Sequence, residues 1–424
     1  MKKCSMWIVL SLSLLVAFTP AFAAAGSLDS TFGNNGIVET NFGPDSNFTY
    51  SDAAFTSNGD IVVAGTVTNF NGQATACVVV RYLPNGLLDP SFGSGGIVTL
   101  PASSFASLFG MLAVQANGQI LVVIEPQING ALVTALMRLN TNGKLDPTFG
   151  SGGLVTVNLP TPATFTAAPS LLLAQPDGKI LLAGASTPPR RSTLSPQTIL
   201  IRYLSSGALD TTFGSGGVTS VVAISAPTTL GLLSGDGILA LNGSGQLAQF
   251  TSAGAPLKTP VGGTVIAAKQ NATTAAAFLP NGEFLLGGSV FGPDGRSNLD
   301  AVVHRFLVTG AADPAFLSPP ISFVPNGANV GSGAGQFVTD SLGRIVAGGG
   351  VETLSSSLWG VARLAANGSL DASFGNGGVV ATQVGVTGFL SAVFVQPNNE
   401  IIAVGEVRDN NSLIDLAIAR YRAQ

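Results

Sequence analysis

The residues able to do chemistry in this chain are few, and carboxylates lead them. Glu125, Glu352 and Glu406 each stand at the end of a short apolar run, and a pair of acids is enough to hydrolyse a glycosidic bond. Asp294 with Arg296, and Arg408 with Asp409, lie in polar stretches on the same side of the repeat described below. These seven charges form the candidate ligand face. The single histidine, His304, is set among Val302, Val303, Arg305 and Phe306. A Ser-His-Asp relay needs its imidazole at a cleft, so those neighbours favour a packed or edge strand position. Beyond residue 23 one cysteine, Cys77, remains. It can form no internal disulfide, and one histidine with one cysteine gives zinc no ligand set. No catalytic residue, metal or cofactor is assigned.

A second set of charges recurs. Aspartate returns at Asp29, Asp89, Asp146, Asp210, Asp313 and Asp371, followed three residues later by Phe32, Phe92, Phe149, Phe213, Phe316 and Phe374. Eight residues before the internal aspartates come Arg81, Arg138, Arg202, Arg305 and Arg363. In one degenerate unit Gln249 and Leu257 replace both partners at once. Joint loss marks a pair in contact, since a lone buried charge costs several kcal/mol whereas losing both is tolerable. Arg420 near the end has no aspartate after it, and Asp29 near the start has no arginine before it. Counted across that break the two complete one signature, which predicts that the ends meet and that Arg420 pairs with Asp29. A calcium loop would need oxygen side chains at alternating positions, where this signature has Phe and Gly.

The elements that must carry these charges are short strands. Each unit holds a second marker, Asn58-Gly59, Asn117-Gly118, Asp177-Gly178, Asp236-Gly237, Asn281-Gly282, Leu342-Gly343 or Asn398-Asn399. Asn-Gly and Asp-Gly predict a two-residue hairpin turn with positive φ. The runs that follow, such as Ile61 to Gly65 and Ile180 to Gly184, are apolar throughout, as in strands buried on both faces. With the arginine-bearing strand and one after the Phe-Gly turn, each unit has about four strands. No segment shows helical periodicity. The fold expected is all-β: a closed, seven-bladed β-propeller of four-stranded antiparallel blades, in units of about 26–87, 88–144, 145–208, 209–255, 256–311, 312–369 and 370–424. A linear solenoid would show shorter repeats and polar caps.

Leu-Asp-x-x-Phe-Gly-x-Gly-Gly, together with Gln-Pro-Asp-Gly-Lys-Ile-Leu-Leu-Ala-Gly at 175–184, resembles the delta-60 repeat of bacterial exported proteins. That resemblance implies a β-propeller and brings no active-site residues with it. Residues 1–23 read as a signal peptide: Lys2 and Lys3, an apolar run from Met6 to Phe18, then Ala21-Phe22-Ala23. A single propeller domain, 24–424, would follow. Only 9% of residues are charged, and the net charge of −4 becomes −6 without the two leader lysines, so no basic patch points to nucleic acid. The role expected is a secreted or periplasmic binding scaffold, a monomer with no membrane span after signal removal, whose partner is a protein or glycan outside the cytoplasm. An enzyme using the loop-face carboxylates on carbohydrate or envelope polymer, and a structural element of a surface assembly, are the alternatives. Partner choice is expected on the irregular Pro- and Ser-rich connections, notably Thr187 to Gln197 with Arg190 and Arg191, and Thr161 to Pro169.

Overall fold

The computed structural model describes residues 24–424 except 102–104, 129–130, 158–165, 188–196, 222–226, 234, 243–245, 258–271, 280, 292–298, 318, 324–328 and 354–355. Residues 1–23, Asp294, Arg296, Arg190 and Arg191 therefore lie outside the described residues. Within them the chain makes seven antiparallel sheets and no helix. Blade 1 runs outward through Ser46–Phe55, Ile61–Asn69, Ala74–Tyr82 and Ile97–Pro101. The first strand of every blade packs against the first strand of the next, and that of blade 7, Thr387–Val395, returns to Ser46–Phe55. The result is a closed ring.

The apolar runs are explained by how blades stack. Side chains alternate between the two faces of a strand. Ile61 and Val63 join a core with Ile402 and Val404 of blade 7, whereas Val62 and Ala64 join one with Ile120 and Val122 of blade 2. A strand sandwiched between neighbouring blades has no solvent face, so every position is apolar. Each fully buried Val or Ile contributes about 1.5–3 kcal/mol.

Blade 7 is assembled from both ends of the chain. Its outer strand is Ile37–Thr40, paired antiparallel with Ile414–Tyr421 in the register Ile37 to Ala419 and Thr40 to Leu416. Further backbone bonds tie the segment down: Asp29 N–H to Arg420 O at 2.8 Å, Gly26 N–H to Arg422 O at 2.8 Å and Arg420 N–H to Gly36 O at 2.9 Å. Closure is thus non-covalent, with Cys77 buried as a free thiol.

Two departures from the four-strand plan have local causes. Blades 4 and 5 show three strands each among the described residues. In blade 5 Ile321 makes only an isolated bridge to Ala301 where an outer strand would lie. Pro319 and Pro320 occupy the approach to that position and carry no N–H for a ladder.

The inner hairpins also differ from the two-residue turn read from sequence. Thr56 N–H bonds Asp60 O and Gly59 N–H bonds Thr56 O, each at 3.0 Å, which leaves a three-residue loop. Gly59 has φ +88°, while Asn58 is not in the left-handed region. This is the type I turn followed by one left-handed residue that also favours Gly. Asp236 and Asn399 take that left-handed place in blades 4 and 7.

Candidate functional site: the inter-blade ring and the loop face

The signature loop starts from its aspartate. Oδ1 of Asp29 accepts the Thr31 amide at 3.1 Å and its hydroxyl at 2.9 Å, an Asx turn that shapes the loop. Oδ2 is left for a guanidinium. Arg420 reaches it at 2.7 Å, and the pairs Arg81–Asp89, Arg138–Asp146, Arg202–Asp210, Arg305–Asp313 and Arg363–Asp371 close to 2.6–2.8 Å. Asp29 is 5% exposed and holds a second arginine, Arg422, at 2.8 Å from Oδ1.

Each arginine also crosses to the next blade. Nη1 of Arg81 bonds Thr141 O, that of Arg138 bonds Ser205 O and that of Arg202 bonds Ser252 O. Arg305 reaches Ala366 O at 2.7 Å, Arg363 reaches Ala423 O at 2.6 Å, and Arg420 reaches Pro84 O at 2.6 Å. In blade 4 Gln249 keeps this link, donating to Val308 O at 3.3 Å, while Leu257 is 46% exposed. Seven seams therefore carry seven such links.

Phenylalanine completes the joint. Each guanidinium lies 4.4–4.9 Å from the ring of its own signature, a cation–π contact that the sequence spacing did not announce. Phe32 is fully buried and its ring faces Gly86 of blade 1, where an added Cβ would sit 2.9 Å from the ring and φ is +87°. Gly207 meets Phe149 in the same way.

Burial alone would raise the carboxyls of Asp29, Asp89, Asp146, Asp210 and Asp371. The amide and hydroxyl two residues on, together with the arginine, outweigh it and hold them below the usual range. For Asp313 the Ala315 amide and Arg305 do the same without a hydroxyl.

The loop-face charges are distributed over several blades. Glu406 accepts the Tyr50 amide of blade 1 at 2.6 Å, and burial raises its carboxyl. Glu352 accepts the Ser357 hydroxyl at 2.9 Å within its own hairpin. Arg408 donates to Ser412 O at 2.8 Å, and Asp409 caps the turn by accepting the Asn411 and Leu413 amides at 2.8 Å. Glu125 is half-buried on Ile120–Ile128 of blade 2. Counted from the start of its strand it matches Glu406, whereas Glu352 stands two positions further along, where blade 7 has Arg408. His304 lies in Leu299–Phe306, half-buried, and burial lowers its pKa.

Several polar residues that the sequence reading passed over occupy the inner strands. Asp52 follows a β-bulge after Tyr50 and accepts the Leu112 amide of blade 2 at 2.8 Å and its neighbour Ala53 at 2.8 Å. Burial pushes its carboxyl up to about 6. Gln336 makes the corresponding bond from blade 6 to the Val393 amide of blade 7 at 3.3 Å. Isolated polar residues inside apolar strands were the available signal. Buried Asp415 accepts from Asn41 at 2.8 Å, and burial with Asp409 and Glu39 nearby raises it.

Among solved structures the chain is similar to a protein of unknown function from Dyadobacter fermentans DSM 18053, at 12% identity and TM-score 0.43, covering 92% of this chain and 98% of that one. It is similar to the Cps50 (Swd1) β-propeller domain of Myceliophteria thermophila, at 11% identity and TM-score 0.45 over 90% and 99%. Polysaccharide lyase Uly1 aligns at 11% identity and TM-score 0.47 over 88% and 90%. No curated protein matches the chain. Residues 56–92, 115–149, 175–213 and 343–374 match the family described as domain of unknown function (DUF5122) beta-propeller. At four places, then, the chain carries the DUF5122 β-propeller repeat, in keeping with its delta-60-like signature.

Proposed function

We propose that the protein is an exported binding scaffold, working as a monomer in the periplasm or outside the cell on a protein or glycan partner. The observation that carries this reading is the contrast between its two faces. One is a uniform ring whose arginines and aspartates are spent on joining blades. The other is built from hairpins and connections that differ in every blade, which is where a rigid scaffold places recognition. The bonds of Glu352, Glu406, Arg408 and Asp409 hold hairpins or neighbouring backbone, which favours a shaped surface over a reacting pair of acids. Localisation rests on the leader-like residues 1–23.

The test is a screen of residues 24–424 against glycans and envelope proteins, repeated after the Asp409 to Leu413 turn is replaced by Gly and Ser. Saturable binding that the replacement weakens while the fold persists supports the reading. Cleavage of a polymer would favour the enzyme alternative, and the absence of any binding would contradict the scaffold.

A further inference from the structure

The first strand of each blade is paired on one side only, so its other backbone edge needs partners from outside the sheet. Side chains at the seams supply some of them. Ser170 Oγ donates to Pro227 O at 3.3 Å, Thr229 Oγ1 donates to Ala276 O at 3.2 Å, and Gln336 Oε1 accepts the Val393 amide at 3.3 Å. Those links are neutral. At both seams that flank Ser46–Phe55 of blade 1 the partner is instead a carboxylate. Glu406 of blade 7 accepts the Tyr50 amide at 2.6 Å, and Asp52 accepts the Leu112 amide of blade 2 at 2.8 Å.

Asp52 faces Ala64 across the ladder, and both Ala64 and Leu112 are buried. Ile61–Asn69 and Phe105–Val114, the strands packed on it, contain no titratable residue, and the next strand of blade 2 carries Glu125. Tyr50 shares its strand, where burial and the Asp52 charge push the phenol up. Around Glu406 the titratable groups are Arg408 on its own strand, Asp415, Arg420 and Tyr421 on Ile414–Tyr421, and Tyr50 and Asp52 opposite; Thr387–Val395 has none. Burial raises both carboxyls, Asp52 to about 6, against the amides that lower them. A carboxyl can accept an amide in either protonation state, and burial penalises only the charged one. The stability these links add is therefore complete below the ordinary carboxyl range and is lost for Asp52 as pH rises through about 6, the reverse of the signature aspartates. We propose that the inner strand of blade 1 is a proton-operated clamp, gripped by blades 7 and 2 when Glu406 and Asp52 are protonated and released locally when they ionise, while the signature pairs keep the ring closed.

The experiment is native-state hydrogen exchange on residues 24–424, compared at pH 5 and pH 7 after correction for the intrinsic exchange rate. Opening at the Leu112 amide should become about tenfold more frequent at the higher pH, as a carboxyl moved from 3.8 to about 6 requires, and opening at the Tyr50 amide should rise in the same direction. The Val393 amide, held by the neutral Gln336, should change by less than about twofold. Asp52→Asn, which keeps an acceptor for Leu112 and cannot ionise, should abolish the dependence at Leu112. Carbon-13 NMR of the Asp52 carboxyl in the unsubstituted protein needs no variant, and its titration midpoint should fall near 6. A midpoint at the ordinary 3.8, opening at Leu112 that does not change with pH, an equal rise at Val393, or an unchanged dependence in Asp52→Asn would overturn the proposal.

Discussion

The seam between blades 7 and 1 and the seam between blades 4 and 5 solve the same problem with unequal means. At the first, Asp29 holds Arg420 and Arg422, Arg420 reaches Pro84 O, and Ile37–Thr40 adds a strand. At the second, the described residues show no ion pair, only neutral hydrogen bonds such as those from Gln249 to Val308 O and from Thr229 to Ala276 O. The difference follows the chain. Blades 4 and 5 are joined covalently, so losing an ion pair leaves them at high effective concentration. The break lies inside blade 7, between Ile37–Thr40 and Ile414–Tyr421, and the contacts across it must offset the whole entropy of closing the ring. Arg422 reinforces the pair at the place where the polypeptide itself does not hold the parts together.

The largest effect should come from removing the strand. Deleting residues 24–40 exposes the edge of Ile414–Tyr421 and strips the apolar cover from Leu416 and Ile418, so cooperative thermal unfolding followed by circular dichroism should be lost. Retention of a native-like transition would break the comparison. Next in size is Asp29→Ala, which leaves two arginines facing a buried gap and should cost on the order of 3 kcal/mol in chemical denaturation.

Acid should separate the same two seams. The carboxyl of Asp29 is held below its ordinary value in the fold, so its contribution is complete above the unfolded value near 3.8 and fades as pH falls through the lower folded value. Amide exchange at Asp29 and Arg420 should therefore speed up as pH falls below about 4, relative to Leu257, whose amide bonds Gln249 O at a seam without the pair. Equal acceleration at both would count against the pair as the cause.

The smallest changes belong to the neutral seam. Gln249→Ala should cost under about 1 kcal/mol, the ordinary value of one neutral hydrogen bond. Installing Gln249→Arg with Leu257→Asp together should move stability by no more than about 1 kcal/mol either way, because the seam is already tethered. A gain comparable to the loss in Asp29→Ala would show that the pair is worth the same everywhere.

These differences were legible in part. The seven-bladed ring could be read because every unit repeats the same apolar run and the same Asp-x-x-Phe, and because the signature runs from Arg420 across the break to Asp29. What each guanidinium touches in the next blade could not, since Thr141, Ser205 and Pro84 carry no shared residue type and are reached through a backbone carbonyl. The turn class was misread because Asn-Gly suits two kinds of hairpin, and only backbone angles tell them apart.

Closure of the ring by its own ends is most directly tested by native-state hydrogen exchange at Gly26, Asp29, Arg420 and Arg422, whose amides bond across the break. The account predicts opening free energies equal to that of global unfolding, matching the central strand Ile61–Asn69. Exchange at those four amides through a low-energy local opening, with the rest of the ring still protected, would contradict it.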